Sequence, residues 1–259
     1  MRGVWALSRF LLTMLRRERS GYLIVVAALF MIAAALAFGG TNIGMRYKLF
    51  EDTLLSTQGI LLQMAALFYT FLLLSRERAL ELYVLPLAYG MGRSAYLLGL
   101  MISLVWMLAL VTGALMAADM ALMWIVEGGV CGVLLWQLFL YYLAALMSTA
   151  LMVALSHYVS ITNALIYTII LSFAGNALDE LVLYAADHGG EMVNLVVQSA
   201  YYLLPNYSVF DHQSSVVNRG GWEVGSFVLI PVGYAAVWWG IAYTLAWLRF
   251  VTKALRGSR

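Results

Sequence analysis

Two stretches of this chain, Ala95 to Ala118 and Val130 to Leu155, run for 24 and 26 residues without a charged side chain. In water such a run must be covered on every side. In a bilayer it needs no cover, because a helix crosses the roughly 30 Å hydrocarbon core with about 20 apolar residues. Four further runs have this character: Gly21 to Gly40, Thr57 to Leu74, Ile161 to Leu178 and Ser226 to Leu248. The expectation is therefore an all-α integral membrane protein, a single transmembrane domain over 1–259 with six spans. Gly21 to Gly40 reads as a retained span, because a signal core would be shorter and would end in a small-residue cleavage site. Composition agrees: 64% of the 259 residues are hydrophobic and 11% charged, with a mean hydropathy of +0.88. Soluble chains are roughly half apolar and a quarter charged. Intrinsic disorder is excluded by the same figures. A disulfide scaffold is excluded by the single cysteine, Cys131.

Six spans put both termini on one side, and the positive-inside rule says which. With the termini inside, the inner segments hold all the lysines and arginines except Arg46, Lys48 and Arg219, and only three acids, Glu18, Glu77 and Glu81. The whole chain carries only +2, so the segregation of charge carries the signal, and the outer segments are strongly acidic.

Three connections carry structure of their own. In residues 1–20, Val4, Leu7, Leu11 and Leu15 fall on one helical stripe and Arg2, Arg9, Thr13, Arg16 and Arg17 cluster opposite. That pattern predicts an amphipathic helix lying on the inner membrane surface, with Arg9, Arg16 and Arg17 toward the headgroups. The inner connection, 75–94, keeps helical periodicity to Pro86 and breaks at Gly90 and Gly92. The outer connection, 179–225, contains Val193 to Leu204, too short to span but apolar enough to enter the bilayer. It predicts a re-entrant or interfacial helix ended by Pro205.

Little of this sequence suits catalysis. The three histidines are His157, at a helix end beside Ser156, and His188 and His212, each preceded by an aspartate in the outer connection. The Asp187–His188 and Asp211–His212 pairs have the ligand chemistry of zinc sites, but solvated loop polarity is the commoner reason for such pairs. The span interiors, with the boundaries above, carry no ionisable residue, which disfavours a self-energised ion-coupled pump. Their amides, Gln63, Gln137, Asn163 and Asn176, are expected to bond between helices. No phosphate-binding loop of the Gly-x-x-x-x-Gly-Lys-Ser/Thr kind is present, so ATP would have to be used by another subunit.

The inner segment holds Arg76, Glu77, Arg78, Leu82, Pro86 and Arg93, followed by Tyr96-Leu-Leu-Gly99. The outer segment reads Tyr-Tyr-Leu-Leu-Pro-Asn-Tyr-Ser-Val-Phe-Asp, Tyr201 to Asp211. In these two pieces, and in its layout, the chain resembles the permeases of type-2 ABC transporters, the ABC-2 superfamily with the type V exporter fold. The resemblance implies a coupling helix in 75–94 that docks in a cleft of a cytoplasmic ATPase through Arg76, Glu77, Arg78, Glu81, Leu82, Leu85, Pro86 and Arg93. It implies an external re-entrant segment at Leu204, Pro205, Asn206 and Asp211. It further implies two copies of a P-loop ATPase that bind the ATP and magnesium, none being bound by this chain, and a second permease copy, identical or related. The setting would be a bacterial inner membrane, with an accessory protein outside the membrane as a further candidate partner and no nucleic acid. Transport would be outward, of amphipathic or lipid-like cargo. Two other classes share the topology: a structural or assembly subunit of a membrane complex, and an intramembrane enzyme, which would need one of the histidines.

Overall fold

The structure is a computed structural model and describes residues 2–17, 46–127, 132–212 and 228–256. Apart from short turns and the segment 204–212 these are helical, with no strand among them. The expected first span, 21–40, lies outside the described residues. In chain order the helices are α1 (Arg2–Arg16), α2 (Arg46–Ala79), α3 (Val84–Ala88), α4 (Arg93–Glu127), α5 (Gly132–Ser156), α6 (Ile161–His188), α7 (Glu191–Leu203) and α8 (Ile230–Arg256). A single 3-10 turn, Ser208–Phe210, precedes α8.

Four of these are long and apolar enough to cross a membrane, over Glu51–Ala79, Arg93–Trp124, Leu134–Ser156 and Ile161–His188. Helix α8 corresponds to the last expected span. At 27 residues it reaches about 40 Å at 1.5 Å per residue. Gly233, Gly240, three tryptophans and two tyrosines make it less apolar than the other four.

Helix α5 is the hub. It packs against α2, α4, α6 and α8, and Leu134, Leu138, Ala145, Met147, Met152 and Val153 on it are buried. Four hydroxyls in this apolar interior are satisfied within their own helices: Thr70 donates to Ala66 O, Ser103 to Leu100 O, Thr149 to Leu146 O and Thr168 to Ala164 O, whereas the buried Thr112 hydroxyl of α4 has no partner among the described residues. That is how a bundle accommodates serine and threonine where no water reaches the backbone.

Described charges separate along the bundle. The α2–α4 connection, α1, the turn after α5 and the end of α8 meet at one end, tied by Arg78 donating to Ser156 O, by Tyr96 stacked on Phe250 at 6.2 Å and by His157 edge-on to Phe250 at 5.7 Å. This is the basic end. The far ends of α2, α4 and α6, with α7 and residues 204–212, form the acidic end.

Three expectations are corrected. The helices overrun their hydropathy windows, so α4 continues past Ala118 to Glu127 and Asp119 sits inside the bundle at 1% exposure, with Glu51 of α2 also buried. The span helices therefore do carry ionisable residues. Next, Arg76, Glu77 and Arg78 form the last turn of α2 rather than opening a separate helix. Finally, the leucine stripe of α1 faces protein: Leu7, Leu11 and Leu15 are buried against α4 and α2, while Arg9, Arg16 and Arg17 are exposed as expected. Gly99 makes room for this packing, since a Cβ there would lie 2.9 Å from Leu7 Cδ2. Trp5 and Phe10 remain on the outer surface of α1.

Candidate functional site

At the acidic end, the chain leaves α7 at Leu203, and Pro205, having no N–H, cannot continue the helix. The segment then turns into the bundle, burying Pro205, Asn206, Tyr207 and Phe210. Asn206 organises it. Its Nδ2 donates to Asp179 Oδ1 at 3.0 Å, its Oδ1 accepts from Ser208 N–H at 2.9 Å, and its own N–H donates to Tyr234 Oη at 2.6 Å. Gln137 of α5 holds the far side: its Nε2 donates to Phe210 O at 2.9 Å and its Oε1 accepts from His212 N–H at 3.2 Å. Of the expected residues, Leu204 is half-buried, Pro205 and Asn206 are buried, and Asp211 is exposed.

Tyr207 carries this plug into a polar cluster deep between helices. Its hydroxyl shares a 2.8 Å hydrogen bond with Ser148 Oγ of α5, and Gln63 Nε2 of α2 donates to Ser148 Oγ at 2.5 Å and to Ser172 Oγ of α6 at 3.0 Å. One amide thus ties α2 to α5 and α6. Asn176 donates to Ser172 O of its own helix at 3.0 Å, and Asn163 is exposed in the first turn of α6, so neither bonds across helices as expected.

Beside the cluster lies a cavity of about 330 Å³, within the 300–1,000 Å³ typical of small-ligand sites. Its apolar wall is Ile60, Met64 and Leu67 from α2 and Ile169 and Phe173 from α6. Its polar members are Gln63, Tyr141, Ser172, Asn176, Tyr207 and, toward the acidic end, Asp211, the one formally charged residue among the described lining. Ile60, Met64 and Phe173 are also exposed, so the cavity opens on the bundle's flank between α2 and α6.

A second buried contact joins Gln58 of α2 to Asp119 of α4: Nε2 donates to Oδ1 at 2.5 Å. Asp119 Oδ2 and Gln58 Oε1 are buried and make no hydrogen bond among the described residues. The pair was hidden from sequence because Asp119 follows directly on an uncharged run and looks like its boundary.

At the basic end, α2 stops in a Schellman arrangement. Leu82 N–H bonds Glu77 O at 3.1 Å and Glu81 N–H bonds Arg78 O at 3.4 Å, with Glu81 at φ 48° where glycine is usual. Helix α3 follows, and Met91 N–H closes on Pro86 O at 2.9 Å. The expected coupling residues divide. Arg76 and Glu81 are exposed, whereas Arg78, though exposed, spends one amino group on Ser156 O, and Glu77 accepts from Tyr96 Oη at 3.2 Å. Leu82 packs on the core instead of facing out, and Pro86 and Arg93 are half-buried. The Leu85 side chain lies outside the described residues. Side chains the periodicity did not single out take the exposed apolar positions: Leu80, Val84 and, at 86% exposure, Tyr89. The signal was there in Tyr89 beside Gly90 (φ 82°), a turn that pushes its neighbour outward.

The histidines are scattered. His157 Nδ1 lies 2.8 Å from Val153 O, and His188 stacks on Tyr184 at 4.8 Å. Burial lowers the pKa of His212, opposed by the neighbouring Asp211 carboxylate and backbone. Among the described residues no group of three or more His, Cys, Asp or Glu side chains is placed to hold a metal. In comparisons with known proteins, no family model matches the chain and no curated protein is significantly similar to it.

Proposed function

We propose that the chain is the membrane-embedded permease of an ATP-driven transporter, working as a pair with a second permease and powered by two copies of a separate cytoplasmic P-loop ATPase that bind the ATP and magnesium. The observation that carries this reading is the α2–α4 connection. It is a short, tightly hydrogen-bonded projection bearing Leu80, Val84 and Tyr89 on its surface, with Arg76 and Glu81 beside them. Exposed large apolar groups ringed by charge are what a soluble partner's cleft recognises. Charge segregation supports the orientation, with the basic end and both termini in the cytoplasm, α8 and residues 21–40 completing six spans, and α1 at the membrane surface with Trp5 and Phe10 toward lipid.

The projection is stiffly joined to the bundle. The Glu77–Tyr96 bond ties the end of α2 to α4, and Arg78 ties it to the end of α5. Displacement of the projection by a closing ATPase would therefore move α2, and Gln63 lies about 20 Å along that helix, at 1.5 Å for each of the intervening residues. Reshaping the cavity requires the ATPase to bind two permease packings with different affinity. Cargo would move outward and be amphipathic, in keeping with a cavity that opens on the bilayer flank.

Mild-detergent purification of the tagged chain, with mass spectrometry and an ATPase assay of the same fraction, tests this. A stoichiometric P-loop ATPase with hydrolytic activity is the expected result. Intact chain that purifies alone, or only with membrane proteins lacking that fold, overturns it in favour of a structural subunit.

A further inference from the structure

We infer that Gln58 of α2 and Asp119 of α4 form a binding site for one small monovalent cation, a proton or a sodium ion, held between Asp119 Oδ2 and Gln58 Oε1. The site stands apart from the ATPase reading, because binding is a property of this chain by itself.

Both side chains are almost wholly buried, Asp119 at 1% and Gln58 at 3% exposure, and Gln58 Nε2 donates to Asp119 Oδ1 at 2.5 Å. The amide nitrogen is the only donor of a glutamine side chain, and a carboxylate only accepts. Their bond therefore leaves each residue with one acceptor over. Those acceptors, Asp119 Oδ2 and Gln58 Oε1, are buried and bond to nothing among the described residues. Buried polar atoms with unmet hydrogen-bonding capacity are rare in folded proteins, and a bound ion is one of the few things that meets it.

The surroundings set the charge of the occupant. One helical turn to either side, the same faces carry Leu54, Leu55, Leu61 and Leu62 on α2 and Leu115 and Met123 on α4, all buried. Water is shut out, and a carboxylate at that depth is costly without a positive partner. The described arginine side chains all stand at the basic end, and α1 and α8 pack on the half of α4 that lies there. Lys48, in the first turn of α2, is about 15 Å of helix from Gln58. The nearest titratable residues along the packed helices are Glu51 and Asp52 on α2, Tyr141 and Tyr142 on α5 and Glu127 at the end of α4, and none of these types carries positive charge. One negative charge matches one monovalent ion. No group of three acidic, cysteine or histidine side chains among the described residues is placed to hold a divalent metal.

Each orphan oxygen shares its carbon with an atom of the existing bond. A carboxylic acid and a primary amide joined on one side by N–H···O close a ring on the other when a proton stands between the two oxygens, which satisfies both and removes the charge. A sodium ion coordinates the same pair. Because the oxygens stand on different helices, occupancy favours the packing in which α2 and α4 meet here, and a packing that parts them releases the ion.

Two titrations of the full chain in phosphatidylcholine nanodiscs, with no ATPase present, separate the two cations. In sodium-free N-methylglucamine buffer, the infrared carbonyl band of protonated carboxyl groups is followed as pH is raised. At fixed pH, the unfolding temperature is followed as N-methylglucamine is replaced by sodium at constant ionic strength. A titrating carboxyl band that Asp119→Asn removes identifies the proton. An unfolding temperature that climbs with the logarithm of sodium concentration, and is flat in Asp119→Asn, identifies sodium. Asp119→Asn is isosteric and uncharged, so it should fold without either ion. Gln58→Met keeps the length and loses the amide; it should move the carboxyl band to higher frequency or weaken sodium roughly tenfold, the scale of a lost contact to a charged group. Wild-type protein with neither signal overturns the inference whatever the variants do. So does a signal that survives in Asp119→Asn or is untouched by Gln58→Met.

Discussion

The carbonyl of Gly175 accepts a hydrogen bond from the backbone N–H of Tyr207 at 3.3 Å, and only a residue without a side chain lets the two backbones meet there. A Cβ at 175 would overlap the Pro205 carbonyl oxygen and lie 2.7 Å from the Tyr207 ring. One missing methyl on α6 thus seats the segment whose tyrosine reaches the polar cluster.

Gly175→Ala should therefore unseat that segment at a cost of about 1–3 kcal/mol, the usual penalty for overpacking. The check is a lower unfolding temperature in nanodiscs together with increased labelling of a cysteine placed at Val209, a half-buried position of the same segment. Unaltered stability and labelling would show that the plug does not depend on this approach.

The Gln58–Asp119 contact makes a prediction about pairs. Gln58→Leu leaves a buried carboxyl without the donor that serves it and should destabilise by about 1–3 kcal/mol. Gln58→Leu combined with Asp119→Leu should cost less than Gln58→Leu alone, because no polar group is then stranded. Denaturant titrations of these two variants and of Asp119→Leu alone settle the sign of the coupling.

Leu11 is fully buried against the bundle. Leu11→Ala should cost about 2–5 kcal/mol and change the fluorescence of the Trp5–Trp106 pair, whose rings are 6.4 Å apart. A helix held only by lipid would show neither effect.

At the basic end two roles separate. Tyr89→Asp should abolish ATPase association with stability unchanged within about 0.5 kcal/mol, as for other exposed substitutions. Arg78→Gln should instead lower stability by about 1–3 kcal/mol through the lost bond to Ser156 O. Pull-down and thermal unfolding of both variants distinguish partner contact from internal support.

His212 has a folded pKa below its unfolded value of about 6.5. The unfolded chain therefore binds more protons in that window, and stability rises with pH through it. The contribution is complete above the unfolded value and is lost as pH falls below about 6.5. His212→Asn should flatten this part of the stability–pH profile. An unchanged slope would assign it to another group.

How much of this was legible beforehand depends on the range of the interactions involved. Hydropathy found the helices, because the requirement to satisfy the backbone and cover apolar side chains is local and repeats with every turn. Pro205 marked the end of α7 for the same reason, a missing N–H. The helix ends were misread where hydropathy stops before the hydrogen bonds do: α2 runs on through Arg78 and α4 through Asp119.

The amino-acid sequence by itself determined an all-helical chain whose long apolar helices suit a membrane, with its charge sorted to opposite ends. Which polar groups meet was decided by tertiary structure alone. Gln63, Ser148, Ser172 and Tyr207 stand on four separate elements, and Gln58 and Asp119 on two; no spacing along the chain encodes contacts that exist only once helices have chosen their neighbours and rotations. Leu11 makes the same point in reverse. Its periodicity fixed a face, but the identity of what covers that face, lipid or α4, was set by the small residue at Gly99 that lets a helix approach.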